Sequence, residues 1–318
     1  MSLIADVNDS EHSVPRTGWQ LFRQLVRGEL TPGSAWKKPH HRRKFLLRSL
    51  VTPFSTAHLL NMLVKNPRLP EMLAVQPGLP CRLHRPWLSL NVSKQAAIDG
   101  LQWHYDTLAK TLPAAVFNRY LSKPGCTLAT LAGRDDRTFS VRLVADPMLD
   151  KEGEATLLFC NAENTVLAEL TFTLCRFAGV PVLYIGGLQG AKAHVDHAQI
   201  QLATKACHGL FPKRLLVEVL MTLGQRFGVG AIRAVSNETH IYRSVRYRKK
   251  KQGKLHADYS SFWASLGGEA DKHGDYLLPL AMPRKPMEEI ASKKRAEYRR
   301  RYELLDSLHA QTLQICQR

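Results

Sequence analysis

Five short apolar runs follow one another between residues 126 and 187, and their spacing constrains the fold more than any other feature of the chain. They are CTLATLAG at 126–133, FSVRLVAD at 139–146, ATLLFCNA at 155–162, VLAELTFTLCRF at 166–177 and PVLYIGG at 181–187. Turn-formers separate them, among them Gly-Arg-Asp-Asp, Asp-Lys-Glu-Gly and Ala-Gly-Val-Pro. Runs this close, joined by loops this short, pair as an antiparallel meander. After the fifth run, helical spacing carries through AHVDHAQIQLATKACHGL and FPKRLLVEVLMTLGQRFGVG before the strand-like AIRAV at 231–235. A connection of that length is a crossover and permits the strands it joins to run parallel. The fold class expected is therefore α+β, with a mixed sheet of meander, crossover helix and further strand, to which YLLPLAM at 276–282 can add another.

Helices flank this core. Residues 15–65 place Trp19, Leu21, Phe22, Leu25 and Val26, then Phe45, Leu46, Leu47, Leu50 and Val51, at helical spacing. Five prolines in 66–86 argue against a long helix or strand there and make it a candidate boundary. Ser93 can cap a helix over 93–112, and 287–314 reads as a C-terminal helix rich in cations, including Arg299, Arg300 and Arg301. Three regions are expected: an N-terminal helical, basic region with its Pro-rich linker at 1–86, the α+β core at 87–285, and a basic helix at 286–318.

Lys and Arg number 45 against 27 Asp and Glu, a formal net charge of +18. That excess favours anionic partners: nucleic acid, anionic lipid, lipopolysaccharide or a phosphate-bearing cofactor. Two cation runs stand out. WKKPHHRRK at 36–44 suits either a solvated linker or a membrane interface. RSVRYRKKKQGKLH at 243–256 leads into Tyr259, Phe262 and Trp263 and, with Tyr247, has the interleaved aromatics of single-stranded nucleic-acid platforms. No recognised nucleic-acid motif accompanies it, which ranks nucleic acid behind lipid or cofactor, and a bland solvated loop ahead of both.

Six cysteines, at 81, 126, 160, 175, 207 and 316, form no short Cys or His cluster, so zinc and redox motifs have no support and the thiols are expected buried and free. No apolar run approaches the ~20 residues of a membrane span, and the first residues lack the order of a secretory signal. A cytoplasmic protein is expected, able to rest peripherally on the inner membrane. No GxSxG, P-loop, GxGxxG or HExxH occurs where its mechanism needs it, which removes positive support for hydrolase and nucleotide-kinase chemistry.

Two places can carry chemistry. Gly186, Gly187, Leu188, Gln189 and Gly190 end a strand, and its glycines either kink it or let another group approach its backbone. With a helix start near His194, such a strand end can hold an anion on free amides. The neighbouring His194, Asp196 and His197 read as a helix start, since a metal would need ligands that the sequence does not supply. The second place is SNETHIYR at 236–243, at the end of AIRAV. Asn237, His240 and Tyr242 there can orient a substrate or move a proton, and the competing reading is a turn with a helix cap.

The series YIGGLQG, GLFPKRLL, AVSNETHIY and DYSSFWASLGG resembles the VirK/YbjX family of Gram-negative bacteria, a domain of unknown function, over most of the chain. The resemblance implies a role associated with virulence, envelope integrity and resistance to cationic antimicrobial peptides. Meander, crossover helix and further strand also look like the GNAT acyltransferases, whose splayed strand and following helix hold the pyrophosphate of coenzyme A. That likeness implies a coenzyme A thioester as donor near residues 186–190 and His194, with Asn237, His240 and Tyr242 near the acceptor. The sequence lacks a clear Q/R-x-x-G-x-G/A loop and has an additional helical segment before FPKRLL. Two functions are expected from different classes: an acyl-CoA-dependent acyltransferase of envelope or lipid A physiology, and a non-enzymatic peripheral factor that binds anionic lipid or lipopolysaccharide through the cation runs.

Overall fold

The computed structural model describes residues 14–247 and 258–317. Residues 248–256, most of the second cation run, lie outside that description. The chain divides into two compact units, the first ending at His84 and the second beginning at Arg85.

The first unit is helical, with α1 (Gly18–Arg27), α2 (Ser34–Lys37), α3 (Pro39–Val51), α4 (Pro53–Val64), α5 (Leu69–Val75) and a 3-10 turn at Leu79–His84. Thr17 and Gln20 form a capping box at the start of α1, and Gly28 ends it in the left-handed conformation. Leu21, Leu25, Trp36, Phe45, Leu59 and Leu63 make its core. Helices α1 and α4 approach closely at Gly18, where a Cβ would fall 2.5 Å from Asn61 Oδ1. Within 66–86 the regular structure is short, a seven-residue helix and a 3-10 turn. Pro70 stands in the first turn of α5, where its missing N–H costs nothing.

The second unit holds the sheet. After α6 (Lys94–Thr111) and α7 (Ala114–Tyr120) come β1 (Cys126–Ala132), β2 (Thr138–Val144), β3 (Ala155–Asn161), β4 (Val166–Phe177) and β5 (Val180–Gly190), each antiparallel to the one before. Helices α8 (His197–Ala206) and α9 (Pro212–Arg226) then lead to β6 (Ala231–Ala234), which pairs parallel with β5. After α10 (Tyr259–Ser265), β7 (Glu269–Ala270) and β8 (Tyr276–Leu278) complete the order β1-β2-β3-β4-β5-β6-β8-β7, and α11 (Ser292–Gln317) ends the chain. The architecture is a mixed α+β one, as the meander and crossover predict.

The near-continuous apolar run of β4 has a physical reason: the sheet is covered on both faces. Cys175 faces Gly100 of α6, whereas Leu183, which pairs with Leu174, faces Gly224 of α9. Alternate residues of one strand therefore meet different helices. Helix α11 packs on α9 and on β1. Its Gln311 side chain bonds both the N–H and the C=O of Thr130, each at 2.9 Å, and so satisfies part of an exposed sheet edge.

Two irregularities coincide in β5. Its pairing with β6 runs from Val182↔Ala231 to Ile185↔Ala234, after which only Val235 N reaches Ile185 O, at 3.0 Å. Across the other edge Phe172 pairs with Ile185 and Thr171 with Gly187, so Gly186 is the extra residue of a bulge. Beyond Ile185, β5 continues to Gly190 paired with β4.

Candidate functional site

The bulge is a cradle for one carboxylate. Glu152 lies in the loop between β2 and β3, and it crosses the sheet against β5. A Cβ on Gly186 would fall 2.0 Å from the Glu152 backbone O, and one on Gly187 would fall 1.9 Å from Oε2. Gly153, at φ +154°, brings the loop close to Phe172 as well, whose O would be 2.7 Å from a Cβ. Of the two roles open to the Gly-Gly pair, both occur: it bulges the strand, and it admits another group to the backbone. That group belongs to the protein itself.

Glu152 is 1% exposed. Gln189 Nε2 donates to its two oxygens at 3.1 and 3.0 Å, and the Tyr242 hydroxyl donates to it as well. His240 Nε2 stands 3.8 Å from Oε1. The His240 ring accepts from Tyr242 N through Nδ1 at 3.2 Å, which leaves the proton on Nε2, facing the carboxylate. Burial pushes the Glu152 carboxyl up to about 7, against the pull of its Gln189 and Tyr242 hydrogen bonds. A carboxylate poised near neutrality, bonded to a half-buried tyrosine, is suited to take and return a proton. A second buried carboxylate, Glu169, pairs across the strands with Gln189, and Lys192 Nζ lies 3.3 Å from it. Desolvation raises its pKa too.

Aromatic side chains occupy the opening between β5 and the end of β6. Tyr259 OH accepts from Leu188 N at 3.3 Å, Trp263 Nε1 donates to Val235 O at 2.8 Å, and the His240 ring stacks on Tyr259 with centroids 5.2 Å apart. Asn237 holds α10 in place: its Nδ2 donates to Asp258 Oδ1 at 2.9 Å and its Oδ1 accepts from Tyr259 N at 2.8 Å. The turn before His240 is tied down by buried Asp275, which accepts from Thr239 Oγ1 at 2.7 Å, from Arg233 Nη2 at 3.0 Å, from Asn91 Nδ2 at 3.0 Å and from Tyr184 OH.

The residues singled out in the sequence divide accordingly. Gly186, Gly187, Gln189, His240 and Tyr242 converge on Glu152. Leu188 is buried with its amide committed to Tyr259, and Gly190 lies beside Lys213, whose Cε would be 3.7 Å from a Cβ there. Asn237 is a clamp for α10, its side-chain amide committed to Asp258 and Tyr259. His194 is exposed in the loop before α8, and the helix begins later than expected, at His197 with Asp196 as its cap. Asp196 and His197 form the helix start expected of this trio, and His194 lies two residues before the cap. Glu152 itself escaped the sequence reading, because Asp-Lys-Glu-Gly carries only the signal of a turn.

Coenzyme A, implied by the fold-level likeness, meets a divided donor set. Glu152 fills the space beside Gly186 and Gly187, and the Leu188 amide is satisfied by Tyr259. Past them, Gln189 and Gly190 are half-buried, Lys213 sits in the first turn of α9, and no side chain caps that helix. Lys213, Lys192 and the uncapped turn suit the diphosphate.

The family model described as "Protein of unknown function (DUF535)" matches residues 34–314. The chain belongs to that family. The "Uncharacterized protein YbjX" of Escherichia coli (strain K12) is 50% identical over 291 residues, covering 92% of this chain and 88% of that protein. Two uncharacterized proteins of Haemophilus influenzae are 31% and 32% identical over 157 and 155 residues, about half of each chain compared. DUF535 is thus the family that the four motifs point to, and its match begins in α2 and ends in α11. Among the described residues no helix is long and apolar enough to cross a membrane, and no group of three or more His, Cys, Asp and Glu side chains could hold a metal.

Proposed function

We propose that the second unit is an acyltransferase of GNAT-like type that moves an acyl group from a coenzyme A thioester to an amine or hydroxyl of an envelope component. One observation carries this reading: Glu152, with its carboxyl raised to about 7, is bonded to Tyr242 where the parallel pair β5 and β6 parts. The meander, the crossover helix and the parallel strand are the layout on which such transfer is carried out, though fold alone assigns no function. In the reaction the acceptor's lone pair attacks the thioester carbonyl. Its proton passes by way of Tyr242 to the Glu152 carboxylate, the C–S bond breaks, and the departing sulfur takes the proton back. No covalent enzyme intermediate is needed. Lys213 and the first turn of α9, beside Gly190, are the groups that would hold the donor's phosphates.

Isothermal titration with acetyl-, long-chain acyl- and free coenzyme A tests the donor. Heat that saturates and weakens in a Lys213→Glu variant is the result expected, and no heat at high micromolar ligand overturns it. A second reading, a binding module without turnover, is favoured by the Leu188 amide that Tyr259 already satisfies. Donor binding without release of free thiol in the presence of amine acceptors selects that reading.

A further inference from the structure

Four large apolar side chains of the first unit face solvent in consecutive turns: Leu47 is 62% exposed, Leu50 66%, Val51 80% and Phe54 89%. Of the apolar positions at helical spacing in α3, Phe45 is buried, together with Ser49, whereas Leu47, Leu50 and Val51 are not. Leu47, Leu50 and Val51 stand at i, i+3 and i+4 and so share one face of α3, and Phe54 continues the series at the start of α4. A patch of this kind marks a contact with something apolar.

The surrounding charge says what. Exposed Arg43, Lys44 and Arg48 lie on the same two turns as the stripe, and Lys37 and Lys38 precede them. Between Glu29 and Glu71 the chain carries no acidic residue at all. Nucleic acid would need the cations and leave the stripe in water. A protein partner would have to match an acid-free basic rim around leucines and a phenylalanine. An anionic bilayer satisfies both, with headgroups for the cations and the acyl boundary for the stripe.

We propose that the Leu47, Leu50, Val51 and Phe54 stripe, with its rim of Arg43, Lys44 and Arg48, docks the protein on an anionic lipid surface. The stripe lies flat in the interface and spans nothing. This docking stands independently of acyl transfer in the second unit, and it holds whether or not that unit turns over a substrate.

Co-sedimentation of the full chain with vesicles of phosphatidylcholine alone, and of phosphatidylcholine with about one part in four phosphatidylglycerol, tests it. The protein sediments with the anionic vesicles only, and raised salt weakens the binding. The pair Leu50→Asp and Phe54→Asp, and separately the set Arg43→Glu, Lys44→Glu and Arg48→Glu, each lower binding by roughly tenfold or more. All five positions are exposed, and an unchanged thermal transition shows that the variants fold; Val51→Asp alone serves as a milder version. Wild-type protein left in the supernatant at low salt overturns the proposal, as does sedimentation of the aspartate pair at the wild-type level. Conversion of a dimer to a monomer by the aspartate pair overturns it too, since a second copy then covers the stripe. Binding of a single-stranded oligonucleotide that the cation set abolishes and the aspartate pair preserves, without vesicle binding, assigns the rim to nucleic acid instead.

Discussion

The carboxylate of Glu152 lies where a side chain at position 187 would begin: a Cβ on Gly187 would come within 1.9 Å of Oε2. The strand and the β2–β3 loop are thus fitted to each other through the absence of one atom. Gly186 repeats the relation with the Glu152 backbone O, at 2.0 Å. Neither glycine has a positive φ, so space is the reason for both.

Gly187→Ala therefore forces Glu152 out of its cradle. The expected loss of stability is about 1–3 kcal/mol or more, as for other overpacked interiors. Gly190→Ala is the control, because a Cβ there meets only Lys213 Cε at an ordinary 3.7 Å. Urea unfolding of both variants checks this: equal midpoints would show that the carboxylate is not held by the bulge.

Glu152 also makes stability depend on pH. Its folded value of about 7 lies above the ordinary 4.5, so the folded state binds the proton more tightly than the unfolded one. The contribution is complete below the unfolded value and is lost as pH rises through about 7, on the order of 3 kcal/mol over the whole range. Glu152→Gln removes that slope. Unfolding free energies of the two proteins, measured from about pH 4 to 8, should diverge by that amount, and parallel curves would contradict the assignment. Under the acyl-transfer reading the same variant lowers the transfer rate by roughly 10²–10⁴ while leaving donor affinity nearly unchanged.

Asn237→Ala breaks two hydrogen bonds that fasten α10, to Asp258 and to Tyr259 N. A cost of about 1–3 kcal/mol is expected, with faster hydrogen exchange at Tyr259 and Ser260. If Asn237 contacted the acceptor instead, the acceptor's KM would rise and exchange would not change.

Asp275→Ala leaves Arg233 buried against the sheet with Asp271 as its remaining carboxylate, and removes the acceptor that Thr239 Oγ1, Asn91 Nδ2 and Tyr184 OH share. A loss of about 3–5 kcal/mol is expected, against a smaller one for Asp271→Ala, whose side chain is 11% exposed where that of Asp275 is 0%. Thermal unfolding of the two variants orders them, and the reverse order would contradict the role given to Asp275.

Much of this fold is legible in the chain. The five runs at 126–187 become β1 to β5 because alternation and turn residues act over a few neighbours, and β6 follows AIRAV for the same reason. The Gly-Gly pair is legible as a place where something comes close. What comes close is not legible: Glu152 sits in a sequence that reads as a turn, and its burial depends on a loop folding back across two strands. The short helix α5 is not legible, because a proline has opposite effects inside a helix and in its first turn, where Pro70 stands. Leu47, Leu50 and Val51 have the spacing of a core face, and only the packing of Phe45 and Ser49 shows that they look outward.

The most direct measurement is the titration of the Glu152 carboxyl carbon by NMR in protein labelled at its glutamates, with the resonance assigned by its loss in Glu152→Gln. A midpoint near 7 that falls when Gly187→Ala exposes the group is the result predicted. A midpoint near the ordinary 4.5 in the folded protein would contradict the buried base on which the proposed chemistry rests.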